Sequence, residues 1–279
     1  MSTHSVRPAA HAGRFYPFGA QELRHEIERY IEAASPQTGE APAIGFVSPH
    51  AGYTFSGPCA GHVYRQIQAL RPEIVFVLAP SHHGSFSEPS IWDGKAYATP
   101  LGEYPIDRET VEKIKQHRPG IGCHRWEEEQ EHSLEVQIPF LQVACPDSRL
   151  VPILIGQQMK QNICTVADTI EAAVQGRARG TYAFVASSDA YHGYSLDECH
   201  ASDARLATDV QAMDIEALFE DSMSRRTMAC GLGPIAAVID ASKRLGAKRA
   251  TILNQATSAD AMPRGPQDYV VGYLAAMFD

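Results

Sequence analysis

The sequence predicts a single α/β domain over residues 1–279, with a mostly parallel, layered sheet flanked by helices. Short apolar runs alternate with helix-like segments, as in sheets whose parallel strands are joined by helical crossovers. The chain has no internal repeat, low-complexity tract or long linker, and its length suits one large domain. Its 44% hydrophobic and 20% charged content is ordinary for a globular protein.

Five apolar runs, rich in β-branched residues, are expected to form buried strands. They are residues 44–47, 74–79, 150–155, 182–186 and 250–253. Segment 90–107 breaks the strand–helix alternation, and we expect it to add an antiparallel hairpin.

Six segments between these runs have helical patterns: 20–34, 107–117, 133–144, 162–176, 202–223 and 233–247. The first places Leu23, Ile27 and Ile31 on one apolar face. The second opens on Asp107, a residue type typical of helix starts. We expect Pro139 to kink or end the third helix.

The net charge of −9 and the isoelectric point near 5.7 argue against a nucleic-acid-binding or anionic-membrane-binding protein. No apolar run approaches the ~20 residues that a membrane-spanning helix needs. The amino terminus lacks the apolar core of a secretion signal. We therefore expect a cytoplasmic protein whose six cysteines stay reduced, and the absence of a CxxC pair argues against a zinc ribbon.

Histidines follow three of the five predicted strands, and one of these three strand ends also carries a carboxylate. Ligands of open parallel sheets bind beyond the carboxyl ends of the strands, where these residues should meet. A single histidine in such a place more often caps a turn, but three strand ends favour a shared site. The residues concerned are His50, His82, His83, Ser188, Asp189 and His192.

Two other positions have two interpretations each. Cys230 precedes the predicted helix start at 233–234, where the helix dipole favours a thiolate, but it could equally be an inert core residue. Glu131 and His132 precede helix 133–144 and could lie beside such a site or belong to a solvated acidic helix start.

These residues suit a divalent metal ion. His50 and His82 with Cys230 give two nitrogens and one sulfur, whereas with Asp189 they give the two-histidine, one-carboxylate set typical of non-haem Fe(II). Zinc-dependent hydrolysis, with Asp189 or Glu131 as base to a metal-bound water, is also possible. The chain has no G-x-S-x-G elbow and no phosphate-binding glycine loop, which argues against an α/β-hydrolase or a nucleotide-binding enzyme.

Six stretches spread over nearly the whole chain carry a resemblance to a known family. They are "RPAAHAGRFYP" (7–17), "SPHAGYTFSGPCAGHVY" (48–64), "LAPSHHG" (78–84), "EHSLEVQIPFLQ" (131–142), "ASSDAYHGY" (186–194) and "CGLGPI" (230–235). In this order they resemble the Memo family, called AmmeMemoRadiSam system protein B in bacteria and archaea. That family is similar in structure to class III extradiol dioxygenases, which use non-haem iron.

The resemblance implies a pocket of His50, His82 and His192, with Asp189 beside them and Cys230 as the pocket cysteine. We expect His50, His82 and Cys230 to bind a divalent metal, with Fe(II) favoured and Cu or Zn as alternatives. His192 and Asp189 are then the expected catalytic groups. The residues expected around the ligands or the substrate are Tyr53, His83, Glu131, His132 and Ser188.

Two functions follow from this resemblance. The first is a metal-dependent oxidoreductase, similar to the dioxygenases, that acts on an unknown small molecule or peptide. The alternative is a non-catalytic module that binds a peptide or phosphopeptide and keeps a vestigial metal pocket. The resemblance also suggests an AMMECR1-type protein and a radical SAM protein as partners.

Overall fold

A computed structural model describes residues 5–37, 39, 41–262 and 269–279 of the chain. Its strands are β1 (Val6–Arg7), β2 (Gly45–Ser48), β3 (Ile74–Pro80), β4 (Ala96–Thr99), β5 (Gly102–Pro105), β6 (Arg149–Ile155), β7 (Tyr182–Ser187), β8 (His192–Gly193), β9 (Ala250–Thr257) and β10 (Val270–Phe278). Its helices are α1 (Ala20–Ala33), α2 (Tyr53–Leu70), α3 (Arg108–His117), α4 (Arg125–Gln130), α5 (His132–Glu135), α6 (Gln137–Ala144), α7 (Lys160–Ala173), α8 (Leu196–Ala212), α9 (Ile215–Met223), α10 (Leu232–Arg244) and α11 (Ser258–Ala261). None of the helices in this described part combines the length and the apolar character needed to cross a bilayer.

The main sheet has seven strands in the order β6-β3-β7-β2-β10-β8, with β9 also paired to β10. The first four strands are parallel to one another, and β10 runs antiparallel to β2, β8 and β9. The predicted α/β class with a mainly parallel sheet and flanking helices is confirmed. Strand β10 is not among the predicted strands, although its nine residues form one continuous apolar run.

The predicted hairpin within 90–107 is confirmed. Strands β4 and β5 pair antiparallel, and β1 joins β4 in parallel to complete a small three-stranded sheet. The predicted strand 250–253 is longer than expected and continues to Thr257.

Two predicted helices are divided in the structure. Segment 202–223 was predicted as one helix, but Met213 adopts a left-handed backbone with φ 52°, and Asp214 then caps α9. Segment 133–144 divides at Val136 into α5 and α6. Pro139 therefore lies in the first turn of α6, where its missing N–H leaves no helical hydrogen bond unmade.

Helix α2 was also missed, because Gly57, Pro58 and Gly61 resemble loop residues. The two glycines instead allow α2 to lie close to α1. A Cβ atom at Gly57 would overlap the ring of Tyr30, and one at Gly61 would overlap the main chain of Tyr30.

The register of the parallel strands brings their carboxyl ends to one edge. Ser48 of β2 lies opposite Ser187 of β7, and Leu78 of β3 lies opposite Ala186. The loops that carry His50, His82 and Asp189 therefore leave the sheet side by side, as the sequence predicted.

Candidate metal centre

Three side chains from different loops converge at this edge. One ligand atom each from His50, His82 and Cys230 lies within 4.8 Å of the other two. Cys230 Sγ is 3.0 Å from His50 Nε2, and the two imidazole rings lie nearly perpendicular, with centroids 5.5 Å apart. Metal–nitrogen bonds of about 2.0 Å and metal–sulfur bonds of about 2.3 Å place two ligand atoms roughly 3–4 Å apart. The set therefore fits a single divalent ion with small adjustments.

His50 is the buried member of the group, with only 2% of its surface exposed. Its main-chain N–H donates to Asp189 Oδ1 at 2.7 Å, and its Nδ1 lies 2.9 Å from Ser187 Oγ. Burial, assisted by the nearby His82, lowers the pKa of His50 to about 3. The imidazole is therefore neutral at physiological pH, the state in which it can bind a metal.

His82 stands at the mouth of the pocket, with 35% of its side chain exposed. Its main-chain N–H donates to Glu131 Oε2 at 2.6 Å, and its Nδ1 lies 2.9 Å from Glu131 Oε1. Burial lowers the pKa of His82, but the hydrogen bond and the charge of Glu131 outweigh burial and raise it overall. Because Nδ1 faces the carboxylate, Nε2 is the nitrogen left for a metal.

Glu131 accepts hydrogen bonds that hold His82 and the start of α5 together. Its Oε1 accepts the main-chain N–H groups of His132 and Ser133, each at 3.0 Å, at the start of α5. Burial would raise the pKa of Glu131, but the hydrogen bonds and charge of His82 and the hydrogen bond from the N–H of Ser133 hold that pKa well below its usual range. An ionised carboxylate that binds a ligand histidine is the usual support for a metal site.

His132 fills the space beside Glu131. Its ring is stacked between His82 and Phe15, with centroids 4.6 Å from each. Burial and the neighbouring His50 lower its pKa to about 3. Ligand atoms of His82, Glu131 and His132 also lie within 4.8 Å of one another, so this second group adjoins the first through His82.

Cys230 is brought to the pocket by a close loop contact. Its N–H donates to the carbonyl of Asp189 at 3.2 Å, and its own carbonyl accepts from Gln158 Nε2 at 2.7 Å. The next residue is Gly231, where a Cβ atom would overlap the carbonyl of Ser187, so only glycine allows this approach. Burial, assisted by the charge of Asp189, raises the pKa of the thiol. In the metal-free protein these surroundings favour the neutral thiol, so deprotonation has to accompany metal binding.

Asp189 shapes the loop of His50 instead of joining the ligand group. Its Oδ1 accepts the N–H groups of His50 at 2.7 Å and of Ala51 at 3.2 Å. Burial raises its pKa to about 6. The alternative set of His50, His82 and Asp189 is not among the ligand groups that the described residues form. The catalytic role of Asp189 stays a prediction.

His192 lies on β8, which pairs with Val271 of β10. Its Nδ1 is 2.9 Å from the carbonyl of Ala190, so Nδ1 carries the proton of the neutral ring and Nε2 keeps its lone pair. The charge of His192 contributes to lowering the pKa values of both His50 and Asp189, which places it in electrostatic reach of the pocket. Its acid–base role stays a prediction.

The other predicted site residues have different surroundings. Ser188 Oγ accepts from the N–H of Gly231 at 2.9 Å and thereby holds the loop of Cys230. Tyr53 is buried and donates its hydroxyl to the carbonyl of Val136 at 2.6 Å. His83 is exposed, and its ring lies edge-on to Trp126 with centroids 6.1 Å apart.

Sequence reasoning did not assign roles to four residues that support the pocket. Ser187 contacts the ring of His50, Gln137 contacts Ser187, Gln158 holds the loop of Cys230, and Phe15 stacks on His132. The polar residues after the strand of residues 182–186 were a signal for Ser187. Nothing local to the other three indicates which distant residue they contact.

Comparison with known proteins confirms the family resemblance seen in the sequence. The family described as "Memo-like protein" matches residues 7–277. A MEMO1 family protein of Pyrobaculum aerophilum is 34% identical over 280 residues, which cover 98% of this chain and 99% of the relative. MEMO1 family proteins of Nitrosopumilus maritimus and Methanosarcina barkeri are also 34% identical, across 98% of this chain and 99% and 100% of their own lengths. The chain therefore belongs to the Memo-like protein family.

Proposed function

We propose that the protein is a metal-dependent oxidoreductase in which His50, His82 and Cys230 hold one divalent ion. The convergence of their ligand atoms within 4.8 Å supports this proposal above all. The likeness to class III extradiol dioxygenases that the family resemblance implies points to the same chemistry.

The ligand types suit iron, copper or zinc. Two imidazoles suit Fe, Cu and Zn alike, and a thiolate shifts the preference toward softer ions. Fe(II) is our first choice from the family resemblance, with Cu and Zn as the alternatives. Three protein ligands leave coordination positions open to a substrate.

Each group near the ion has a distinct task in this proposal. A bound Fe or Cu ion would supply electron transfer and polarise a substrate atom. His192 accepts a proton from the substrate at Nε2, because its Nδ1 proton is donated to Ala190. Asp189 fixes the loop of His50 through its two main-chain hydrogen bonds.

Metal titration under anaerobic conditions tests the proposal. Chelator-treated wild-type protein should bind one equivalent of Fe(II) or Cu, and the His50→Ala/His82→Ala double variant should bind none. His83→Ala is the matched control, because it removes an adjacent imidazole that lies against Trp126, and it should still bind one equivalent. Equal binding by the wild type and the double variant would remove the proposal.

A second candidate is a non-catalytic module that binds a peptide or phosphopeptide. A groove of about 550 Å³ adjoins the pocket through Phe15, and its lining includes Arg14 and Arg29 beside Glu22 and Glu26. Guanidinium groups bind phosphate through charged hydrogen bonds. Phosphopeptide binding that persists with a chelator and in the double variant, but is lost in Arg14→Ala, would favour this second function.

A further inference from the structure

We infer that Ser187 is a positioning residue that fixes the tautomer of His50, with the proton on Nδ1 and the lone pair on Nε2. The consequence for metal binding rests on the proposed function, whereas the tautomer itself is a property of the metal-free protein. None of the sequence predictions gave Ser187 a role.

Ser187 Oγ carries one proton and has three polar neighbours. A serine hydroxyl has one proton, and here it is donated to the carbonyl of Ser133 at 2.6 Å, since a carbonyl can only accept. Gln137 Nε2 donates to the same oxygen at 2.8 Å. The remaining neighbour is His50 Nδ1 at 2.9 Å. Because Ser187 has no second proton to donate to it, Nδ1 must itself carry a proton and be the donor.

The orientation of Gln137 is fixed by its other contacts. Its Nε2 lies 2.9 Å from the carbonyl of Pro49, so this atom must be the donating nitrogen. Its Oε1 accepts the hydroxyl of Tyr64 at 2.6 Å. The side chains of Ser187, Gln137 and His50 are almost wholly buried, with at most 2% exposed, so water offers no substitute partner.

The opposite tautomer would break this network. A proton on Nε2 would leave Nδ1 as an acceptor, and Ser187 would have to turn its proton from Ser133 to His50. The carbonyl of Ser133 would then lose this hydrogen bond, and a buried polar group that loses its partner destabilises the folded protein. The favoured form presents the Nε2 lone pair toward Cys230 Sγ, 3.0 Å away, which is the side on which the ion would bind.

The experiment is a long-range ¹H–¹⁵N correlation spectrum of metal-free protein labelled with ¹⁵N-histidine. In wild type, His50 should show the pattern of a neutral ring protonated on Nδ1. In Ser187→Ala, Nδ1 loses its acceptor, so the Nε2-protonated form should appear, and affinity for Zn or Fe(II) should fall about 10–100-fold.

Two controls separate positioning from general damage. Ser48→Ala makes the same change at the opposing position on β2, equally buried, where the hydroxyl makes no hydrogen bond to His50. Gln137→Met removes one donor to Ser187 but leaves Ser187 able to accept from Nδ1. Both variants should keep the Nδ1-protonated ring, even if Gln137→Met lowers the melting temperature.

A wild-type ring protonated on Nε2, or a Ser187→Ala protein with unchanged tautomer and affinity, would overturn the inference. If the tautomer responds as expected but wild-type protein binds no metal, the proposed function fails while the assignment of Ser187 stands.

Discussion

His50 and His82 both follow a buried parallel strand, yet their surroundings are opposite. His50 is 2% exposed and its Nδ1 contacts a neutral hydroxyl, whereas the side chain of His82 is 35% exposed and its Nδ1 contacts a carboxylate. The pKa is lowered to about 3 in the first and raised in the second. Both arrangements leave Nε2 for a metal, but only His50 is kept neutral at all physiological pH values.

The difference shows that a position at the end of a strand places a histidine in the pocket but does not determine the charge of its ring. The partner of Nδ1 and the depth of burial decide it, and both come from other parts of the chain. Protons should therefore compete with a metal at His82 and hardly at all at His50. Three predictions test this contrast.

The largest expected effect concerns stability in acid. Because the pKa of His50 falls from 6.5 to about 3 on folding, the unfolded chain takes up the proton first as the pH drops, and stability is lost from pH 6.5 downward. Each pH unit in that window is worth about 1.4 kcal/mol. Because the unfolded imidazole is already half protonated at pH 6.5, metal-free wild type should lose roughly 2 kcal/mol more than His50→Gln between pH 6.5 and 4.5.

Urea unfolding at the two pH values measures this difference. His25→Gln, at an exposed position of α1, is the control and should follow wild type. Parallel pH dependence of wild type and His50→Gln would contradict a neutral buried His50.

The next effect concerns the carboxylate that supports His82. Glu131→Gln keeps an oxygen for Nδ1 but removes the charge, so metal affinity should fall about 10–100-fold. Competition with a chromophoric chelator gives the dissociation constants. Glu129→Gln, a half-exposed neighbour on α4, should leave them unchanged, and an equal loss in both variants would point to a nonspecific effect of charge.

The smallest effect is a shift in titration. In metal-free protein the ring of His82 should titrate above pH 6.5, and Glu131→Gln should lower that pKa. The stability contributed by protonated His82 should be complete below pH 6.5 and disappear as the pH rises through the raised pKa. Histidine NMR shifts between pH 5 and 9 measure both rings, and a titration of His50 in this range would erase the contrast.

Much of this site could be predicted from the sequence because the site residues directly follow apolar runs that form strands. Apolar runs ending in Pro49–His50 and Pro80–Ser81–His82 identify buried strands and the residues that leave them. The spacing of Cys230 from the next helix suits an inert cysteine equally well, and the family resemblance alone favoured its proposed ligand role over that alternative. Helix α2 was missed because its glycines resemble loop residues, and their contact with Tyr30 of α1 cannot be read from any local pattern.

By itself, the sequence determined the α/β class, the strand ends and the family, because apolar periodicity and short motifs are properties of neighbouring residues. Only the tertiary structure decided that Cys230 meets His50, and that Glu131 and Ser187 face different imidazoles. These pairs are separated by 180, 49 and 137 residues, and each is fixed by strand register and loop packing. Proton positions and pKa values follow from such contacts, because they depend on burial and on nearby charges and not on order along the chain.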